Sequence, residues 1–443
     1  IPGTDTCIKL GGYVQADYNI NGNNYGKPAW DEATSGPAAA GTFGTGSRNS
    51  DYFTTRARVQ LNIDTRTATE YGVVRTYWSS NFEHSTGFGP TSGNLTMDYG
   101  FVQFAGFTIG KAFSGFQTPW GAYGANNNNS FLLGGYDNAT GINQIAYTWQ
   151  FGNGVSAQIG VEDNRVINRA QLLDSSLNFY TTTGDPNTSV QNVSGLQAAR
   201  AVLGQGVYPN SYGGNVSPDF VGNIKIDQAA FTAQLSAAVH NIHATYYSGA
   251  TGLPNAIVES NGHPADAWGF AIAGGLQLKN LPTGPGDKLS LDVTYADGAM
   301  KYLISGVTGN NFDKFGGGSG AAYNTMAVMG LFDGVYATGG GIEKTTGWGF
   351  RGAYVHNWTP NWESSLFGSY TTIDYNDTAS AGICAVQARA ITRATGPGAQ
   401  GAGYSCNPDF AIWQIGTRTA WTPVRNLTFS GEVMYTNLDQ SNT

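Results

Sequence analysis

Side chains able to do chemistry are sparse in these 443 residues, and their spacing argues against catalysis. The five histidines are His84, His240, His243, His263 and His356. His240 and His243 stand three apart, which on a strand points them to opposite faces and makes them a poor metal pair. No Gly-x-Ser-x-Gly elbow and no Walker-type glycine loop occurs. An outer-wall hydrolase would need Ser, His and a polar orienter to converge, and the strand parity described below brings no such set together. Asp266 and neighbouring loop carboxylates are a weak candidate for Ca²⁺ through clustered oxygens. No catalytic residue, metal or cofactor is expected, and the chain does not read as an enzyme. Cys384 and Cys406 enclose a Gly- and Ala-rich stretch with no Cys or His at ligand spacing. In an oxidising compartment they are expected to form a disulfide, with a loop-closure contribution of about 3 kcal/mol.

The charged side chains suggest electrostatics instead, and the elements that carry them are strands. Period-two alternation recurs along the chain. Ile145, Tyr147, Trp149 and Phe151 alternate with Gln144, Ala146, Thr148 and Gln150. After Gly152-Asn153-Gly154, a triplet that tolerates positive φ, the pattern resumes with Val155, Ala157, Ile159 and Val161. Fifteen strands are expected near 7–20, 52–65, 71–82, 94–105, 107–113, 142–151, 155–163, 218–226, 229–246, 266–279, 288–298, 346–358, 362–375, 409–421 and 427–437. Lys111 disturbs the fifth by sharing a parity with Phe107 and Ile109. Bacterial single-chain barrels have even strand numbers, so sixteen are expected in the intact protein, with the last absent from this chain.

Composition fits strands with one face in lipid and one in water. Charged residues are 12%, against roughly 25% in typical soluble proteins, yet no apolar run approaches the roughly 20 residues of a membrane helix. A net charge of -8 without any basic patch gives nucleic-acid binding no support. Short turns (152–154, 227–228, 280–287, 359–361, 422–426) interleave with long polar segments (21–51, 83–93, 164–217, 247–265, 299–345, 376–408). Barrels place the former in the periplasm and the latter outside. Trp358, Trp362 and Trp421 fall at short-turn ends, as an interfacial girdle requires. A soluble β-sandwich or solenoid would place such bulk mid-strand. The reading is an all-β transmembrane antiparallel barrel over 1–443, in one domain.

Charges facing lipid cost about 2–4 kcal/mol at the midplane, so charged strand residues are assigned to the lumen. Lys9, Arg56, Arg58, Arg75, Lys225, Arg351 and Arg418 balance Asp17, Asp64, Glu162, Asp227, Asp292, Glu363 and Glu432. The wall is thus nearly neutral, with arginines concentrated on the second and third strands.

The segments Ile1-Pro2-Gly3-Thr4-Asp5-Thr6-Cys7-Ile8-Lys9-Leu10-Gly11-Gly12-Tyr13-Val14, Tyr99–Lys111 and Leu289–Gly298 resemble the alphaproteobacterial general porins, and the likeness covers essentially the whole chain. That resemblance implies a sixteen-stranded homotrimeric barrel in the outer membrane of a Gram-negative bacterium, in contact with lipid and lipopolysaccharide. It implies passive diffusion of small polar solutes and ions, with the third external loop folded inward at about 114–140. The constriction would then be lined by Gln117, Trp120, Tyr123, Asn126 to Asn129 and Asp137. Arg56 and Arg58, with Lys9, Arg75, Arg351, Glu162 and Glu363, would form the facing lumen. A substrate-specific channel, or a surface receptor or adhesin with a plugged barrel, is the alternative. The family's further cysteine before Pro-Gly-Thr and its closing strand are missing here, so both ends are expected to be trimmed and Cys7 to pair with the lost cysteine.

Overall fold

The computed structural model describes residues 4–20, 53–86, 89, 91–120, 132–137, 140–165, 167–176, 210–248, 257–304, 331–395 and 405–440. Its strands are β1 (Thr6–Ile20), β2 (Phe53–Thr69), β3 (Gly72–Ser85), β4 (Asn94–Phe104), β5 (Phe107–Ala112), β6 (Ile142–Gly152), β7 (Val155–Glu162), β8 (Gln171–Asp174) and β9 (Asp219–Asp227). They continue with β10 (Phe231–Ile242), β11 (Ala267–Lys279), β12 (Lys288–Asp297), β13 (Phe332–Tyr336), β14 (Glu343–Lys344), β15 (Thr346–Thr359), β16 (Trp362–Asp374), β17 (Phe410–Val424) and β18 (Leu427–Gln440). One helix, α1 (Asp377–Thr395), lies between β16 and β17.

Fifteen strands form one antiparallel sheet in the order β1-β2-β3-β4-β5-β6-β7-β9-β10-β11-β12-β15-β16-β17-β18. Each strand expected from alternation is present, including β5. Its Lys111 does share the outer face with Phe107 and Ile109, and its ammonium donates to the Met97 carbonyl. The outer face is a band of exposed apolar side chains such as Leu10, Val14, Ile109, Leu235 and Val433, which only lipid can accommodate over so large an area. Trp362 stacks on Trp421 at 5.6 Å and Trp421 on Phe429 at 5.9 Å beside the short turns. In the turn after β6, Gly152, Asn153 and Gly154 all take positive φ, 82°, 49° and 74°. That left-handed path is what a right-twisted hairpin demands.

The long segments differ from the expectation of solvated loops. β14, β13 and β8 make a second sheet of three strands, with β13 and β8 parallel. Together with α1 and a short 3-10 turn at Met300–Tyr302 they supply a hydrophobic core that includes Leu173, Leu303, Phe332 and Ile383. The core also contains Ala271, Ala296 and Ile412 from the inner faces of β11, β12 and β17. Parts of the segments 164–217, 299–345 and 376–408 therefore pack inward onto the wall, because their apolar side chains gain more by burial there than by exposure to water.

Candidate functional site

Inward parity has two outcomes along this sheet. On β1 and β2 most inward side chains keep contact with the lumen: Lys9 and Arg66 are exposed, and Gln15, Arg58, Gln60, Asn62 and Asp64 are half-buried, while the pair Asp17 and Arg56 is buried. On β10, β12, β15 and β16 most inward side chains are buried, Thr294, Arg351 and Thr371 among them.

The exposed wall carries the arginines that alternation placed there, but not as a basic surface. Antiparallel register sets Asp17 opposite Arg56, Gln15 opposite Arg58, and Arg58 in turn opposite Glu83. Arg56 Nη2 lies 2.6 Å from Asp17 and its Nη1 3.8 Å from Glu83, while Arg58 Nη2 lies 2.6 Å from the same Glu83. Lower down, Arg75 donates to both oxygens of Asp64, at 3.0 and 3.1 Å, and to Gln103 at 2.9 Å. The arginines concentrated on β2 and β3 are thus matched by carboxylates within the same wall. Two of its acids escaped the sequence reading. Glu83 was assigned to a loop, although alternation continues through Asn81, Glu83 and Ser85 to the end of β3. Asp98 sits where β4 bulges opposite Ser79 and Ser80, which breaks the parity rule and points it inward to Asn81 and Gln60.

The other wall is covered by residues 114–120 and 132–137, from the segment between β5 and β6, which contact strands β9 to β17. Asn223 of β9 donates to the Gly115 carbonyl at 2.6 Å, and Gln234 of β10 to that of Gln117 at 2.8 Å. Trp120 packs where β11 has Gly275, whose added Cβ would lie 2.6 Å from the indole. Leu133 N donates to Gln414 of β17 at 2.8 Å. Gly134 takes φ 98° and meets Gly349 of β15 so closely that a Cβ there would lie 2.4 Å from its Cα. Arg351 completes the attachment. Its guanidinium holds Asp292 through bonds of 3.0 and 2.7 Å, and donates to the carbonyls of Tyr136 at 3.2 Å and Leu132 at 3.4 Å. These four bonds need a fork of fixed donors, one more than the three a lysine ammonium carries. The segment's first turn is fixed likewise, with Ser114 Oγ and Gly115 N donating to Glu162 at 2.9 and 2.8 Å. Arg351 and Glu162, expected to line the lumen, are instead sealed beneath this segment, and so is Asp137. Burial pushes the Asp137 carboxyl up to about 6, against the pull of Arg351 and with added repulsion from Asp292.

A third arrangement joins the inward segments to one another. Buried His240 contacts Asp219 through Nδ1 at 2.7 Å and the Tyr212 hydroxyl through Nε2 at 3.1 Å. Asp333 accepts from Tyr212 Oη at 2.8 Å, from Ala170 N at 2.8 Å and from Met300 N at 2.7 Å. Tyr302 donates to Asp219 at 2.7 Å, and Asn168 ties Tyr302 to Glu162. Burial raises the Asp333 carboxyl, with His240 the strongest opposing influence, and pushes Lys301 down to about 8. Every member has partners, so the network fixes parts of two inward segments, 164–217 and 299–345, against β7, β9 and β10 rather than forming a reactive centre.

Of the remaining expected site residues, Gln117 is buried, with its amide 3.4 Å from Asp137, and Trp120 packs beside Leu132, Ala353 and Phe367. Glu363 pairs with Arg418 at 3.0 Å. Tyr123 and Asn126 to Asn129 lie outside the described residues. Cys384 and Cys406 form a disulfide with Cα atoms 5.8 Å apart, and Cys7 is an exposed thiol on the inner face of β1. His243 points away from His240, as parity required, and meets Asp266 at 2.8 Å. Among the described residues no three His, Cys, Asp or Glu side chains could hold a metal.

Strands apolar outside and polar inside, with a chain segment laid across the interior, define an outer-membrane channel barrel. The chain belongs to the porin subfamily, whose family model matches residues 1–443. It is similar to Porin Omp2b of Brucella suis, 27% identical over 235 residues that make up 51% of this chain and 50% of that one. Porin Omp2b of Brucella abortus (strain 2308) is 29% identical over 173 residues, 37% of this chain and 41% of that one. The matched region thus spans about half the length of these curated relatives or less. Among solved structures, the outer membrane channel DcaP of Acinetobacter baumannii shares the fold with a TM-score of 0.56 at 15% identity, covering 98% of this chain and 94% of that chain. Membership places the chain in the Gram-negative outer membrane.

Proposed function

We propose that this protein is a water-filled channel through which small hydrophilic solutes and ions diffuse passively, working as a homotrimer. The path runs between the paired-charge wall of β1–β4 and residues 114–120 and 132–137 of the inward segment, which narrow it. The observation that carries this reading is the Arg351–Asp292 attachment of that segment to the far wall. It leaves the charged, exposed face of β1 and β2 as the side along which water and solute can pass. Polar side chains held in local ion pairs give a wet lining without a strong net field, which suits a general channel. Lys9, Arg58 and Arg75, with Asp64, are the side chains a solute meets. Arg351, Glu162 and Asp137 act by holding the narrowing segment in place. The competing reading, a surface receptor with a plugged barrel, draws on the hydrophobic core formed by the inward segments. Planar-bilayer recording decides between them. Ohmic steps in groups of three are expected, and a folded sample that passes no current would overturn the channel.

A further inference from the structure

The lower part of the exposed wall differs from the upper part in how its charges are matched. Above, each arginine has a carboxylate within 2.6 Å. Near the short turn between β2 and β3, Lys9, Arg66 and Arg75 share one face with Asp64. Both oxygens of Asp64 are taken by Arg75. Arg66 approaches that carboxylate only to 3.7 Å and leaves 63% of its side chain in the lumen. Lys9 is exposed on the neighbouring strand, directly across from Asp64. Arg66 and Arg75 border a concavity of about 640 Å³ whose polar lining also includes Asp5, Gln103, Thr108, Thr148 and Gln150. Among the described residues lining it the one carboxylate is Asp5, which shares the lining with Arg66, and Lys9 stands beside the concavity on β1, across from Asp64.

From this geometry we propose that the short-turn end of the lumen holds a small oxyanion, a phosphate or carboxylate group, between Arg66 and Lys9. Arg75 is the fixed back of the site, and the amides and hydroxyls of Gln103 and Thr108 supply further donors. Guanidinium and ammonium groups in this arrangement match the oxygens of such an anion, and cationic clusters at a pore wall favour anions locally. The proposal rests on the channel reading, because it needs this face to be wet. It adds a station on the periplasmic side, where short turns lie, at which anionic solutes pause.

Cys7 stands opposite Arg66 on the same face and, once reduced, offers a thiol reporter. Its thiolate attacks the sulfenyl sulfur of a methanethiosulfonate to form a mixed disulfide, methanesulfinate leaves, and the thiol proton passes to buffer. The folded protein is treated with the anionic sulfonatoethyl reagent and the cationic trimethylammonioethyl reagent at low salt, each rate normalised to that with free 2-mercaptoethanol. The ratio of the two rates cancels the thiolate fraction and reports local potential. One excess charge about 8 Å away predicts a preference of about fivefold for the anionic reagent. Inorganic phosphate should slow its reaction more than sodium chloride of equal ionic strength; Arg66→Ser with Lys9→Ser, which leaves one excess negative charge, should abolish the phosphate effect and turn the preference towards the cationic reagent. Ala68→Cys in a Cys7→Ser background, on the same concavity, repeats the measurement with a second thiol. Equal or faster reaction with the cationic reagent at both thiols, or identical effects of phosphate and chloride, would overturn the station. Conductance recorded on the same sample keeps the two ideas apart. A conducting channel without the preference removes only the anion station, whereas a non-conducting folded sample removes the channel.

Discussion

The wall of β1 and β2 and the wall of β10 to β16 are written in the same alternation, yet they end in different environments. On the first, inward polar side chains face the lumen and pair with neighbours one strand away, Arg58 with Glu83 and Arg75 with Asp64. On the second, equivalent inward positions are covered, and the pair Arg351–Asp292 has only 1% and 2% of its side chains accessible. An ion pair in water contributes little, whereas breaking a buried one strands a charge. Similar residue types therefore set the lining on one side and hold a segment of chain on the other.

The contrast breaks most sharply at Arg351. Arg351→Leu leaves Asp292 buried without its partner, at a cost of about 3–5 kcal/mol. It should lower the temperature at which the folded band is lost in heat-modifiability gels, and raise mean conductance as residues 132–137 detach. The double change Arg351→Met with Asp292→Leu removes both charges. It should recover much of the stability while conductance stays high, so recovery of both would place the segment's attachment elsewhere. Next in size is the disulfide. Cys384→Ser with Cys406→Ser should cost about 3 kcal/mol in the region of α1 by the chain-entropy argument, read as faster proteolysis of the 377–406 segment with little change in conductance.

A pH effect follows from Asp137. Its carboxyl, raised to about 6 in the docked segment, binds its proton more tightly there than when undocked. Its contribution to docking is therefore complete below the ordinary value near 3.8 and is lost as pH rises through about 6. Current fluctuations should grow between pH 4 and pH 7.5, and Asp137→Asn should flatten that rise. Asp333, also raised by burial, should leave a residual dependence of the same sign. The smallest effect belongs to the exposed wall. Arg58→Ser removes the one arginine of this cluster that keeps appreciable lumen access, while Glu83 retains Arg56 at 3.8 Å, and should shift the reversal potential in a salt gradient towards cations with little loss of stability.

How much of this was legible depended on whether a residue's fate is set by its own strand. Period two gave all fifteen strands of the main sheet, the outward Lys111, and the opposite facings of His240 and His243, because backbone pleat alone decides them. Inwardness did not reveal burial. Arg351 and Glu162 differ from half-buried Arg58 and Asp64 in being crossed by a distant segment, which no local pattern records. β13 is buried at all five positions and so shows no alternation to find. α1 did leave a trace, since its buried Ala379, Ile383 and Val386 recur at helical spacing, but the Gly- and Ala-rich composition reads as loop. The Asp98 bulge shifts one residue against the parity of its neighbours and is invisible to a count by twos.

The central claim is that the open path follows β1 and β2 while the face of β10 to β16 is filled. Single cysteines in a Cys7→Ser background test it directly: Gln60→Cys, half-buried on the exposed wall, and Thr294→Cys, buried on the covered one. Conductance is followed in a planar bilayer as a bulky methanethiosulfonate is added. The account predicts that current falls sharply for the cysteine at 60 and is unaffected for the one at 294. Block at 294 with none at 60 would contradict it.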